Sequence, residues 1–133
     1  MRQYVFDSYA LMTFFEDEPG AGHVQKLLQQ AEQSRISILM SIVNWGEVYY
    51  SLARSKGLAK ANEAMLLIEQ LPVRLVDVDK ELMLQVALLK AKYAVALGDC
   101  FAAALGITHK CPVVTGDREF EKIKDLSVIE WLR

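Results

Sequence analysis

The chain has 133 residues, 53% of them apolar and 24% charged, with a formal net charge of −2. That balance is globular, with enough chain for a core of its own, and it excludes a disordered or low-complexity polypeptide. It also lacks the global positive charge usual in a nucleic-acid binder, so any such contact must rest on a local basic patch or on metal ions.

From the N-terminus, Tyr4-Val5-Phe6 is a short apolar run, and Asp7-Ser8 opens a helical pattern through Phe15. This predicts a strand, a cap and a helix. Met1 to Phe6 lacks the layout of a signal peptide, so a cytoplasmic protein is expected. Pro19-Gly20 breaks the first helix. Val24, Leu27, Leu28 and Ala31 then share one helical face. Ile36, Ile38 and Leu39 predict a second strand, followed by a helix from about Ile42 to Arg54. Beyond Gly57, Ala61, Met65 and Ile68 mark another amphipathic helix, ended by Pro72.

Val73 to Val78 predicts a third strand, and Asp79 caps a helix with the stripe Leu82, Val86, Leu89 and Tyr93. The best apolar stretch, Leu82 to Leu97, carries Lys90 and Lys92, so no membrane span is expected. Gly98-Asp99 opens a helix of nearly unbroken apolar character, Cys100 to Ile107, expected to be buried. Pro112-Val113-Val114 predicts a fourth strand, Thr115-Gly116-Asp117 leads into a short helix, and Val128-Ile129 predicts a last strand. The two cysteines, Cys100 and Cys111, fit no zinc spacing and make no disulfide framework. Both are expected to be buried free thiols, as suits a reducing compartment.

Strands alternating with helices imply an α/β fold with a mostly parallel sheet of four to five strands and helices on both faces. With no repeat and no linker, residues 1–133 are expected to form one domain. In such sheets, ligands bind beyond the carboxyl ends of the strands. Asp7 follows the first strand, Asp117 follows the fourth, Asp99 begins a buried helix and Glu47 lies within a helix. Taken singly, each aspartate is a good helix cap and Glu47 an ordinary solvated residue. Asp17, Glu18, Asp77 and Asp79 are as capable by type. The neighbourhood of Asp99, Ala-Leu-Gly-Asp-Cys-Phe-Ala-Ala-Ala-Leu, separates it from these. A carboxylate shielded there is costly unless paired, hydrogen-bonded or bound to a metal. Gathered carboxylates without His or Cys favour Mg²⁺ or Mn²⁺ over zinc, and such a site suits phosphodiester hydrolysis.

At these residues the chain resembles the PIN-domain family, and within it the toxin half of VapBC toxin–antitoxin pairs. Tyr-Val-Phe-Asp-Ser-Tyr-Ala-Leu, ending in Leu11, is similar to the first motif; its metal-ligating aspartate maps onto Asp7 and the supporting hydroxyl onto Ser8. Asn44-Trp45-Gly46-Glu47-Val48 resembles the second motif and Leu97-Gly98-Asp99-Cys100-Phe101 the third, mapping their acids onto Glu47 and Asp99. Val113-Val114-Thr115-Gly116-Asp117-Arg118 resembles the fourth, mapping its acid onto Asp117 and its hydroxyl onto Thr115. Each motif alone is weak; four in order across nearly the whole chain are strong.

The resemblance implies a PIN-like three-layer α/β/α sandwich. It implies an endoribonuclease dependent on Mg²⁺ or Mn²⁺ held by Asp7, Glu47, Asp99 and Asp117. It further implies RNA as substrate, a homodimer and a cognate antitoxin. Arg118 and Lys122, with Lys124, Arg54, Lys56 and Lys60, are candidates to guide RNA, although such charges more often form a solvated face. His23 and His109 fall outside every motif, and Trp45 and Tyr49 are read as core. A receiver domain needs an acidic pair after the first strand, and a haloacid-type phosphatase needs an Asp where Tyr9 stands; neither requirement is met. A PIN-fold nuclease of RNA processing or DNA repair, or a silent interaction module, remain as alternatives.

Overall fold

The computed structural model describes residues 1–132. Five strands make one sheet: β1 (Arg2–Phe6), β2 (Ile36–Ser41), β3 (Val73–Val76), β4 (Val113–Thr115) and β5 (Ile129–Trp131). Their order is β3-β2-β1-β4-β5, and every pairing is parallel. Parallel neighbours need crossover connections, and helices supply them. α1 (Ser8–Phe15) and α2 (Ala21–Glu32) join β1 to β2, while α3 (Ile42–Lys56) and α4 (Leu58–Gln70) join β2 to β3. α5 (Lys80–Lys92) and α6 (Leu97–His109) join β3 to β4, and a 3-10 helix, Arg118–Ile123, precedes β5.

From β1 the chain steps outward to β3, then returns past β1 to β4. Right-handed crossovers therefore place α1 to α4 on one face and α5 and α6 on the other. Two cores confirm the three layers. One packs Tyr4, Phe6, Ile38, Met40 and Val114 against Leu11, Val24, Val48 and Ile68 of the first four helices. The other packs Val5, Leu39 and Val113 against Val86, Phe101 and Leu105 of α5 and α6, closed by Phe120 and Ile123. Alternate residues of each strand serve opposite cores, the period-two signature of a strand covered on both faces. Val5 and Phe6 are fully buried, and each such side chain contributes roughly 1.5–3 kcal/mol relative to exposure. Ala102, Ala103 and Ala104 are buried in α6, where small side chains let the helix lie close to the strands.

Several boundaries differ from expectation. β3 stops at Val76 instead of Val78, because its only neighbour, β2, ends at the pair Ser41 and Val76. β5 is displaced to Ile129–Trp131: its register on β4 begins at Val113 opposite Ile129, and Val128 is left exposed. α6 starts at Leu97, with Ala96 at its N-cap, so Asp99 lies in the first turn and is not the cap. Cys100 and Cys111 are buried and free, as expected, and burial pushes both thiols up. Among the described residues no helix is long and apolar enough to cross a membrane.

Candidate active site

All five strands run the same way, so every strand's carboxyl end lies on one edge of the sheet. The chain's reversal between β1 and β4 opens a crevice at that edge, where α/β folds bind ligands. Asp7 enters it directly from β1, and Thr115 and Asp117 enter it from β4. Glu47 comes from the second turn of α3 and Asp99 from the first turn of α6.

Asp7 is 2% exposed. It caps α1, its Oδ1 accepting from the backbone N–H of Ala10 at 2.9 Å. Asp117 caps the 3-10 helix in the same manner, its Oδ1 accepting from the N–H of Glu119 at 3.0 Å. The capping role expected of these two aspartates is thus real, but it engages one oxygen of each. The Glu47 Oε1 accepts from the Asn44 side-chain amide at 2.8 Å. Asp99 has a buried Oδ2 with no hydrogen-bond partner.

The electrostatics tie these acids together. Burial is the largest cause holding the Asp7 carboxyl up, at about 7 against an ordinary 3.8. The Thr115 side chain and the Ala10 N–H offset this in part, and the charges of Asp99 and Asp117 add to it. Asp99 is likewise held at about 7, first by burial and then by Asp117, Glu47 and Glu119. Carboxylates raise one another in this way only when their charges share a poorly solvated place. The charges of Asp99 and Asp117 thus act on Asp7, and those of Asp117 and Glu47 act on Asp99. Among the described residues, however, no three His, Cys, Asp or Glu side chains stand ready to hold a metal ion. The acids converge without closing on one point.

Thr115, fully buried, links two of them. Its Oγ1 accepts from the Asp117 N–H at 3.0 Å, and its side chain also stabilises the charged form of Asp7. Among the described residues the Ala10 N–H donates to the Asp7 carboxylate and the Ser8 hydroxyl does not. Thr115→Val is expected to raise the Asp7 carboxyl further and to slow any reaction at this site about tenfold, the usual cost of losing a ligand's supporting partner. Carboxyl titration by NMR with a parallel activity assay checks this; an unmoved Asp7 and an unchanged rate would remove Thr115 from the site.

Three contributors escaped the sequence reading. Glu119 faces Asp99 from the 3-10 helix, two residues after Asp117. Asn44 holds Glu47, and Tyr9 packs over Gly116 so closely that a β-carbon at 116 would strike its ring. Tyr9 also lines a cleft of about 450 Å³ with Met12, Thr13, Glu16 and Leu132. The candidate RNA contacts, Arg118 and Lys122, are exposed and paired: Arg118 with Glu121 at 2.8 Å, Lys122 with Glu119 at 3.1 Å and with the carbonyl of Ala94 at 3.0 Å. Such surface pairs are weak and readily exchanged. The Arg54 guanidinium stacks on Tyr50, 5.2 Å from the ring centre. His23 meets Glu130 at 2.6 Å on the surface, and Trp45 and Tyr49 pack against the first core.

A five-stranded, all-parallel sheet covered by helices on both faces, with carboxylates near its carboxyl edge, defines an α/β protein. The model of the PIN domain matches residues 4–126, and the chain belongs to that family. No curated protein matches it significantly. Among solved structures it is similar to a DNA-bound VapBC from Salmonella typhimurium, with 20% identity, 98% of each chain covered and a TM-score of 0.77. VapBC2 from Rickettsia felis, bound to a DNA fragment from its promoter, aligns with 17% identity over 98% of this chain and 99% of that one, at a TM-score of 0.76. VapC20 from Mycobacterium tuberculosis, described as a toxin cleaving the sarcin-ricin loop, aligns with 16% identity over 89% and 92%, at 0.71. Likeness at these identities establishes the fold.

Proposed function

We propose that the chain is a single PIN domain acting as a metal-dependent endoribonuclease, the toxin of a type II toxin–antitoxin pair. The observation that carries this reading is the convergence of Asp7, Glu47, Asp99 and Asp117 at the switch point, with Asp7 and Asp99 held near neutrality by burial and mutual repulsion. Caps and surface charges have no need to share one shielded place. Family membership supports nuclease chemistry, and the VapBC neighbours support the toxin role.

The donor set fits a hard divalent cation. Every candidate ligand is a carboxylate oxygen, which favours Mg²⁺ or Mn²⁺. The orphaned Oδ2 of Asp99 and the unfavourable charge on Asp7 and Asp99 are what a bound cation relieves. Asp7 and Asp99 would be the chief ligands, with Glu47 and Asp117 completing the pocket directly or through water. Bound there, the ion supplies Lewis acidity toward a phosphate oxygen and lowers the pKa of water. The protein's own groups orient the reactants. The Ala10 N–H and Thr115 fix Asp7, Thr115 also fixes the backbone of Asp117, and Asn44 fixes Glu47. Ser8, next to Asp7 in the chain, would add support only by turning its hydroxyl toward the carboxylate. Arg118 and Lys122 would exchange their acidic partners for RNA phosphates. A homodimer, a cognate antitoxin and a cytoplasmic setting complete the reading.

The test is RNA cleavage by the purified protein and by Asp99→Asn with Mg²⁺, with Mn²⁺ and with EDTA. Cutting by the wild type alone, lost in EDTA, is expected. Equal cutting by both proteins, or cutting that EDTA leaves untouched, would contradict the assignment.

A further inference from the structure

Asn44 is 1% exposed in the first turn of α3. It does not cap that helix; Ser41 does, accepting from the N–H of Val43 at 3.2 Å. Its side-chain amide instead donates to two acceptors, the Glu47 Oε1 at 2.8 Å and the Gly98 carbonyl at 3.1 Å. Both are oxygens, so the amide can face them only with its nitrogen. The Asn44 Oδ1 is then turned away, buried and without a partner. An unpartnered buried oxygen costs stability, and asparagine is a poorer helix former than alanine. For the fold alone, a small apolar residue would serve better here.

Gly98 completes the picture from the other side. A β-carbon at this position would overlap the Glu47 carboxylate. The missing side chain leaves the space that Glu47 fills, next to Asp99. The geometry points to Asn44 and Gly98 as a two-sided seat that positions the Glu47 carboxylate beside Asp99. Asn44 binds it from α3, and Gly98 admits it from α6. Asn44 is thus a positioning residue, acting through Glu47, and this role deepens the metal-dependent reading on which it rests. A glutamate in the second turn of a helix has three rotatable bonds and would otherwise sample solvent; the seat selects the inward arrangement before any ligand arrives.

The test combines a crystal structure of Asn44→Ala with Mn²⁺ calorimetry and thermal unfolding of the wild type, Asn44→Ala and Gly98→Ala. In Asn44→Ala the Glu47 carboxylate is expected to leave Gly98, and Mn²⁺ affinity to fall about tenfold, while the unfolding temperature stays at or above that of the wild type. Gly98→Ala is expected to displace Glu47 from the other side with a similar loss, and the double variant to be no weaker than either. If Asn44→Ala fails to fold, Gly98→Ala carries the same comparison. Glu47 still seated in Asn44→Ala would overturn the proposal, as would unchanged Mn²⁺ affinity after Glu47 is displaced. So would an affinity loss that merely tracks loss of stability. A wild type that binds no Mn²⁺ overturns the nuclease reading instead; the position of Glu47 in the Asn44→Ala crystal then still decides the seat.

Discussion

Asp7→Asn is expected to abolish cleavage and, in the metal-free protein at pH 8, to raise the unfolding temperature. The two effects share one cause. Asparagine has the shape of aspartate and caps a helix as well, so the bond from the Ala10 N–H to residue 7 is kept. What is lost is a negative charge on a carboxyl that is 2% exposed and held at about 7 by burial, against 3.8 in the open chain. At pH 8 that charge opposes folding by up to roughly 4 kcal/mol, at about 1.4 kcal/mol per pKa unit. The amide's own need for partners reduces the net gain to roughly 1–3 kcal/mol, which is several degrees for a domain of this size. Cleavage should fall at least about 100-fold, since losing even a supporting partner of a ligand commonly costs 10–100-fold. Thermal unfolding in EDTA and a rate assay on the same preparation check both. An Asp7→Asn protein that unfolds earlier than the wild type at pH 8, or that cuts at the wild-type rate, would contradict the site.

The second large effect is a stability profile opposite to that of a protein with salt-bridged acids. Asp7 and Asp99 have folded-state values of about 7, above the 3.8 of the unfolded chain. Between those values the folded state binds more protons than the unfolded state, so metal-free stability must fall as pH rises from about 4 to 7. Below this window both states are protonated; above it both are ionised and the penalty is complete. Asp7 alone accounts for roughly 4 kcal/mol by linkage, and Asp99, partly open to solvent, adds a smaller share. Mn²⁺ should restore stability on the alkaline side, by roughly 2.7 kcal/mol at a hundred times its Kd. Urea unfolding at pH 5 and pH 8, with EDTA and with Mn²⁺, reads this directly. A metal-free protein more stable at pH 8 than at pH 5 would show that the acids are solvated and apart.

Much of the architecture could be read from residue order. Alternating strands and amphipathic helices give the layered sheet, and Tyr4, Val5 and Phe6 already show a strand buried on both sides. The apolar run from Cys100 to Ile107 marked a buried helix; it is buried as far as Gly106, while Ile107 is exposed. Boundaries were less legible where a neighbour decides them: β3 ends because β2 ends, a fact of pairing that Val73 to Val78 cannot reveal. The four acids were legible through their motifs, yet capping and ligation had to be weighed as rivals. The capping expected of Asp7 and Asp117 is present and engages one oxygen of each, so it does not by itself decide against ligation. Asn44 was not legible as a functional residue, because its second acceptor, Gly98, lies 54 residues away. Nor was the pairing of Arg118 with Glu121 and of Lys122 with Glu119, which depends on side-chain rotamers on a 3-10 helix.

Calorimetric titration of Mn²⁺ into the wild type and Asp99→Asn at about pH 7.5, just above the folded-state values of the two raised acids, asks most directly whether these acids form a metal site. Saturable binding is expected for the wild type, much weaker in Asp99→Asn. Its heat should vary with the buffer, because Asp7 and Asp99 give up protons as the ion enters. No binding by the wild type, or equal binding by both proteins, would mean that these acids do not form a metal site.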